Sequence, residues 1–120
     1  MMAATMEQRP WGFYEVLSDT DTHKVKRLTV APGQRLSYQR HTHRSEHWFI
    51  VAGTGIVTLD GAHVPIVPGV AIDVPAGTAH RIENTAGAPL VLVEVQHGSS
   101  FEEDDIERLD DDYGRSAAAV

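Results

Sequence analysis

Two stretches of the sequence decide the fold. The first runs from Gly33 to Gly53 and reads GQRLSYQRHTHRSEHWFIVAG, and the second runs from Gly69 to Asn84 and reads GVAIDVPAGTAHRIEN. Both contain runs in which polar and apolar side chains alternate, which is the period of a half-buried β-strand. Glycine and proline bound these runs, as tight turns require. The two stretches therefore predict short strands joined by hairpin turns.

The rest of the chain has the same rhythm. Six prolines and ten glycines separate short runs that are rich in Val, Ile, Leu and Thr. The predicted strands are Gly12–Leu17, Lys24–Val30, Arg35–Arg40, His47–Ala52, Gly55–Leu59, Ala62–Ile66, Val70–Val74, His80–Asn84 and Leu90–His97. So many short strands indicate an all-β barrel or sandwich, because closure removes exposed strand edges.

One short helical turn is predicted near the C-terminus, at Asp104–Leu109. It rests on Ile106, Leu109 and Tyr113, which recur at spacings of three and four residues. We expect residues 1–8 to be a flexible N-terminus, residues 9–115 to form one domain that includes the acidic segment 102–112, and residues 116–120 to be a flexible tail.

Composition limits the classes of function. The chain has 120 residues, which fits a single domain, and no cysteine, which excludes disulfides and thiolate metal sites. Its net charge of −7 argues against nucleic acid or an anionic membrane as partner. No apolar run approaches the length of a membrane helix and the first residues lack a secretory pattern. We therefore expect a cytoplasmic protein.

Side chains with metal-binding donors lie at strand positions that share a face. Gln39 and His41 are two residues apart and point to the same side of a strand. The next strand brings Glu46 opposite this pair, and the turn at Pro75–Ala79 places His80 at the start of a later strand. Two imidazoles, a carboxylate and an amide oxygen suit one divalent zinc, manganese, nickel, cobalt or iron ion. The pattern predicts a metal site at these four residues.

The same two stretches resemble the two motifs of the cupin barrel. The first reads G-x5-Q-x-H-x4-E-x6-G, with Gln39 where cupins usually carry a histidine. The second reads G-x5-P-x-G-x2-H-x3-N and matches the second cupin motif at every position. The resemblance implies a single-domain cupin, which is a double-stranded β-helix or jelly-roll barrel, with Gln39, His41, Glu46 and His80 as the metal ligands.

His43 is an alternative ligand. It lies two residues after His41 and would share its face if the strand continued. The spacing to Gly33 and Gly53 favours Gln39 and His41, and His43 is then a neighbour of the site or a substrate contact.

A narrower set of shared words runs from residue 9 to residue 115. The words are Arg9-Pro10-Trp11-Gly12, Val25-Lys26-Arg27-Leu28, Pro32-Gly33-Gln34-Arg35-Leu36-Ser37, Gln39-x-His41-x-His43-Arg44-x-Glu46-His47-Trp48, Glu94-Val95-Gln96-x-Gly98, Glu103-Asp104-Asp105-Ile106 and Asp112-Tyr113-Gly114-Arg115. They resemble the type II phosphomannose isomerase domain, a cupin module often fused behind a mannose-1-phosphate guanylyltransferase. The nucleotidyltransferase half has no counterpart here, so we expect a stand-alone module without guanylyltransferase activity.

The resemblance implies a metal-dependent mannose-6-phosphate isomerase, an enzyme that interconverts mannose 6-phosphate and fructose 6-phosphate. Two alternatives stay open at this point. One keeps the metal but assigns another small-molecule reaction, on a sugar or by oxygenation, because one fold hosts many chemistries. The other is a non-catalytic sugar-binding or regulatory module.

An isomerase also needs a general base and contacts to its phosphosugar. The sequence leaves the base open among Glu94, Lys26 and His43. Arg35 is the first candidate to bind the phosphate, since its parity on the predicted strand matches that of the proposed amide ligand, and Lys26 follows. Trp48 should point inward, where it would wall the pocket or pack in the core. The small size of the domain favours a homodimer.

Overall fold

The structure is a computed structural model that describes residues 5–115. All regular secondary structure within these residues is β. The described part of the chain contains no helix that is long and apolar enough to cross a membrane. The strands are β1 (Thr5–Arg9), β2 (Gly12–Asp19), β3 (His23–Val30), β4 (Tyr38–Arg40), β5 (Arg44–Ala52), β6 (Gly55–Leu59), β7 (Ala62–Ile66), β8 (Ala71–Val74), β9 (His80–Asn84), β10 (Leu90–Gly98) and β11 (Glu107–Asp110). The all-β prediction is confirmed.

Two antiparallel sheets enclose a single core. The larger sheet has the strand order β1-β2-β3-β10-β5-β8, and the smaller sheet has the order β11-β4-β9-β6-β7. Trp48 and Leu92 of the larger sheet pack in the same buried cluster as Val57 and Ile82 of the smaller sheet. The side chains between the sheets therefore form the interior of a barrel.

The interior changes character along its length. Leu92 on β10 stands level with Ile50 on β5 and Leu28 on β3, and all three are buried. Two residues further along β10, Glu94 stands level with Lys26, and both of these are also buried. The barrel thus has an apolar end, which holds the fold together, and a polar end.

The predicted strand Arg35–Arg40 forms only in part. β4 is limited to Tyr38–Arg40, and Arg35 contributes an isolated bridge to Glu83. Strand alternation is lost between them, because Leu36 and Ser37 are consecutive and yet both are buried. The face on which Arg35 lies therefore cannot be inferred from the face of Gln39 on β4.

The predicted helical turn at Asp104–Leu109 is wrong. Glu107–Asp110 form β11, which pairs with β4 and places Arg108 beside Gln39. Backbone hydrogen bonds to a neighbouring strand outweigh the helix-like spacing of three apolar residues in this segment. Residues 99–115, named the C-terminal strap below, lie across the polar end of the barrel.

Part of the segment that was expected to be a flexible N-terminus, residues 1–8, forms a strand. β1 begins at Thr5 and pairs with β2 along its whole length, from Thr5 opposite Val16 to Arg9 opposite Gly12. Residues 1–4 and the expected flexible tail 116–120 lie outside the described residues.

Candidate metal centre

Three of the four predicted ligands form one buried group at the polar end. His41 follows β4, Glu46 lies near the start of β5, and His80 is the first residue of β9. Nε2 of His41 is 3.3 Å from Oε2 of Glu46, and Nε2 of His80 is 3.9 Å from Oε1 of the same carboxylate. The three donor atoms lie within 4.8 Å of one another, so this group could hold a single metal ion.

Backbone carbonyls set the tautomers of both imidazoles. Nδ1 of His41 is 2.7 Å from the Asp105 carbonyl oxygen, and Nδ1 of His80 is 2.9 Å from the Thr78 carbonyl oxygen. A carbonyl only accepts, so each Nδ1 carries the hydrogen and each neutral ring presents its Nε2 lone pair to Glu46. Metal-binding histidines are commonly oriented in this way.

An unpaired buried atom supports the fit to a metal. Nε2 of His80 has no hydrogen-bond partner among the described residues, although the residue is only 1% exposed. A buried acceptor without a partner is costly, and a cation would remove that cost.

The protonation states also suit a cation. Burial, followed by the Arg44 charge, lowers the pKa of His41 and favours the neutral ring. Burial would raise the pKa of Glu46, but the Arg44 guanidinium and the Trp48 indole N–H, which both donate to its carboxylate, help to hold that pKa below its ordinary value. A neutral imidazole beside an ionised carboxylate is the state in which these groups bind metals.

Arg44 is a buried member of the site that the sequence interpretation missed. Its Nε donates to Oε2 of Glu46 at 3.0 Å, and its Nη2 lies 3.3 Å from Nε2 of His41. Arg44 lies between the predicted strands Arg35–Arg40 and His47–Ala52, whereas in the structure it is the first residue of β5. The available signal was its parity with Glu46, two residues further on.

Gln39, the fourth predicted ligand, lies beside the buried group. It stands opposite His80 in the pairing of β4 with β9 and lines the same cavity as His41 and Glu46. Its Oε1 accepts a hydrogen bond from the Ser37 hydroxyl at 3.3 Å.

His43, the alternative ligand and candidate base, is exposed. The chain bends at Thr42 and His43 around the Asp105 carboxylate, which accepts both backbone N–H groups at 3.0 and 2.9 Å. His43 is therefore absent from both the cavity lining and the buried donor group.

Glu94 and Lys26, the other two candidate bases, both line the cavity. Burial, followed by the charge of Glu46, raises the pKa of Glu94 to about 7, and its carboxylate accepts a hydrogen bond from the Gln96 amide. Lys26 donates to both carboxylate oxygens of Glu103 at 3.2 Å.

The two remaining predicted contacts are placed differently. Trp48 is buried, lines the cavity and donates from Nε1 to Oε1 of Glu46 at 3.0 Å. Arg35 instead lines a different hollow, on the smaller sheet, and its guanidinium donates to Asp112 at 2.7 and 2.9 Å. The lost alternation before β4 explains this position.

A tight turn joins the two histidine-bearing segments. Gly77, with a φ of 85°, donates its N–H to the His41 carbonyl oxygen at 2.8 Å, three residues before His80. Glycine adopts this positive φ without strain, which accounts for its place in the second motif.

The C-terminal strap contributes to the cavity lining. Arg44 donates from Nη1 to the Glu102 carbonyl oxygen at 3.3 Å. The strap is also held by the Asp105 carboxylate, which accepts hydrogen bonds from the backbone N–H groups of Thr42 and His43. The full lining is Arg9, Trp11, Tyr14, Lys26, Leu28, Leu36, Ser37, Gln39, His41, Arg44, Glu46, Trp48, Glu94, Gln96, Glu103, Ile106, Arg108 and Arg115.

Sequence comparisons relate the chain to parts of larger proteins. It is 49% identical over 107 residues to a mannose-1-phosphate guanylyltransferase of Escherichia coli, covering 89% of this chain and 22% of that protein. It is 46% identical over 109 residues to the alginate biosynthesis protein AlgA of Pseudomonas aeruginosa, covering 91% of this chain and 23% of AlgA. The chain thus spans less than a quarter of these curated relatives.

Structure and family comparisons agree on the fold. A cupin-2 domain protein of Rhodospirillum rubrum superposes with a TM-score of 0.73 at 16% identity, covering 85% of this chain and 78% of that one. The family model described as mannose-6-phosphate isomerase C-terminal matches residues 2–111. Both the predicted cupin barrel and the predicted family are confirmed, and the chain belongs to the mannose-6-phosphate isomerase C-terminal family of cupin domains.

Proposed function

We propose that this domain is a metal-dependent aldose–ketose isomerase that interconverts mannose 6-phosphate and fructose 6-phosphate. The observation that carries the proposal is the pair of imidazoles whose Nε2 lone pairs face one buried carboxylate at a polar cavity. A divalent ion held there by Gln39, His41, Glu46 and His80 would stabilise, as a Lewis acid, the negative charge that develops on the substrate oxygens.

The chain's own residues supply the proton transfer. We propose Glu94 as the general base that takes the proton from C2 of the aldose and returns it to C1. It lines the cavity, and burial places its pKa near neutrality, where a carboxyl can both accept and release a proton. Trp48 packs against the site and holds the Glu46 carboxylate through its indole N–H.

The direct test is a coupled assay of fructose 6-phosphate conversion, with zinc, cobalt, nickel and manganese added separately. We expect metal-dependent turnover that falls at least a hundredfold in His80→Ala and Gln39→Ala, together with a loss of bound metal. His63→Ala is the matched control, because this histidine is exposed and lies outside the cavity. Unchanged metal content and turnover in both site variants would remove the assignment.

Arg44 favours a second candidate function, a metal-free sugar-binding or regulatory module. Its guanidinium already contacts both Glu46 and His41, so it supplies a positive charge where the metal would lie. Elemental analysis of the purified protein separates the two. A metal-free protein that binds mannose 6-phosphate in calorimetry and shows no turnover would identify the module.

We also propose a homodimer formed through the outer face of the larger sheet. Phe49 and Val51 are 46% and 47% exposed there, and Val93 lies level with Phe49 on the adjacent strand. Arg27 and Glu15 form an ion pair at the edge of this apolar patch, so its rim carries both signs of charge. A two-fold related copy can set opposite charges over each other around an apolar centre.

The partner test is the mass of the protein in solution. We expect analytical ultracentrifugation to show a dimer, and Phe49→Glu to shift it to a monomer with the barrel intact by circular dichroism. A wild-type monomer at micromolar concentration would remove the proposal.

A further inference from the structure

Four cationic side chains gather at the mouth of the cavity, where the sequence interpretation placed only one. They are Arg9 at the end of β1, Lys26 on β3, Arg108 on β11 and Arg115 at the end of the strap. Segments from both ends of the described chain therefore meet at this point.

The cavity has the opposite charge balance from the protein. Five cations and three carboxylates line it, whereas the whole chain carries a net charge of −7. A cationic cavity in an acidic protein attracts anions, and it does so more strongly where its walls exclude water.

The cations lie close enough to affect one another. Burial, followed by the Arg115 charge, lowers the pKa of Arg108, although the Asp111 carboxylate, which accepts two hydrogen bonds from the Arg115 guanidinium, opposes this, and the Arg9 charge lowers the pKa further. Like charges held together lower the stability of a fold, and such clusters are found where a ligand of opposite charge binds.

A carboxylate of the chain already lies among these cations. Oε1 of Glu103 accepts a hydrogen bond from the Tyr14 hydroxyl at 2.9 Å and one from Lys26 at 3.2 Å, and it lies 3.9 Å from Nη2 of Arg9. The Glu103 side chain is 48% exposed, so solvent and solutes reach the same position. The arrangement shows that an anion is accommodated here.

The mouth is also aligned with the candidate metal centre. Lys26 stands level with Glu94, the proposed base, across β3 and β10. Glu46, which lies near the centre of the buried donor group, stands level with Gln96, two residues further along β10. A ligand with its anionic group at the mouth would extend toward both.

We propose that Arg9, Lys26, Arg108 and Arg115 form a subsite for a phosphate dianion, and that Glu103 occupies part of it until a ligand displaces it. Guanidinium groups suit this role because their paired N–H donors match phosphate oxygens. That the phosphate is carried by a hexose rests on the proposed function, whereas the anion subsite itself does not.

The test follows binding to the 120-residue chain by calorimetry and by the ¹H–¹⁵N signals of the arginine Nε–Hε groups. The probes are inorganic phosphate, mannose 6-phosphate and mannose. We expect Arg108→Gln and Arg115→Gln each to weaken mannose 6-phosphate binding about tenfold or more, and Glu103→Gln to strengthen it severalfold. Arg40→Gln is the control and should leave affinity unchanged, because Arg40 pairs with Glu107 and does not line the cavity.

The outcomes separate this inference from the proposed function. Inorganic phosphate that shifts the Arg9, Arg108 and Arg115 signals supports the subsite even if the isomerase assay shows no turnover. Equal binding of mannose and mannose 6-phosphate would overturn it, as would unchanged affinity in both arginine variants. Weaker mannose 6-phosphate binding in Glu103→Gln would overturn the proposal that the ligand displaces Glu103.

Discussion

The two ends of the barrel interior are built by the same strands and are equally buried, yet their chemistry is opposite. Leu90 and Leu92 on the inward face of β10 are apolar, whereas Glu94 and Gln96 further along that face are polar, and all four are at most 5% exposed. Burial alone therefore does not reveal a residue's role. The apolar end contributes stability, and the polar end reduces it while holding reactive groups in place.

The largest expected effect lies at the apolar end. Leu92→Ala should lower the free energy of unfolding by about 2–5 kcal/mol, because it removes a fully buried side chain and leaves a cavity. Urea unfolding followed by tryptophan fluorescence measures the change. A loss below about 1 kcal/mol would show that the apolar end can collapse around the missing side chain, and would weaken the contrast between the ends.

The polar end should give stability a pH dependence. The folded pKa of Glu94 is raised to about 7 from 4.5, so its contribution to stability is full below pH 4.5 and is lost as the pH rises through 7. The Glu94→Gln variant has a side chain that does not ionise, so its stability should not fall in this pH range for this reason. Between pH 4.5 and 8, wild type should lose up to about 3 kcal/mol relative to the variant.

Urea titrations at several pH values, with a chelator present, check the Glu94 prediction. The charged neighbours on the packed strands are Lys26, Glu46 and Arg44, and they are the same in both proteins. Parallel pH profiles for wild type and Glu94→Gln would contradict the raised pKa.

A smaller effect is expected where the strap meets the polar end. Asp105→Ala removes the carboxylate that holds the Thr42 and His43 N–H groups and should loosen the contact between the strap and His41. We expect cobalt affinity, measured by absorbance titration, to fall about tenfold. The exposed neighbour Asp104→Ala is the control, and equal affinities for the two variants would assign no positioning role to Asp105.

Local sequence signals predicted much of the fold. The predicted ranges Gly55–Leu59, Ala62–Ile66 and His80–Asn84 coincide with β6, β7 and β9, because glycine, proline or Asn84 marks their ends and each contains at least one β-branched residue, a type that favours strands. The segment at Asp104–Leu109 could not be predicted this way. Its conformation depends on pairing with β4, which is far away in the sequence.

Strand parity predicted part of the cavity lining. Parity correctly relates Glu46 to Trp48, which both line the cavity. It fails for Arg35, since the strand is interrupted before β4. Arg44 was missed because the predicted strand begins at His47, whereas β5 begins at Arg44. Arg108 lies within the acidic segment 102–112 and Arg115 follows it, so only the folded arrangement shows that both cations reach the cavity.

The hydrogen bond from His41 to the carbonyl oxygen of residue 105 has a consequence for variation in this domain. Every amino acid has the same main-chain oxygen, so a substitution at residue 105 would retain the acceptor that orients the His41 ring. Substituting side chains one at a time would therefore not identify this oxygen as the acceptor. Deleting one residue between Phe101 and Asp105 would displace that oxygen and should be tolerated far less than any exchange of side chains there.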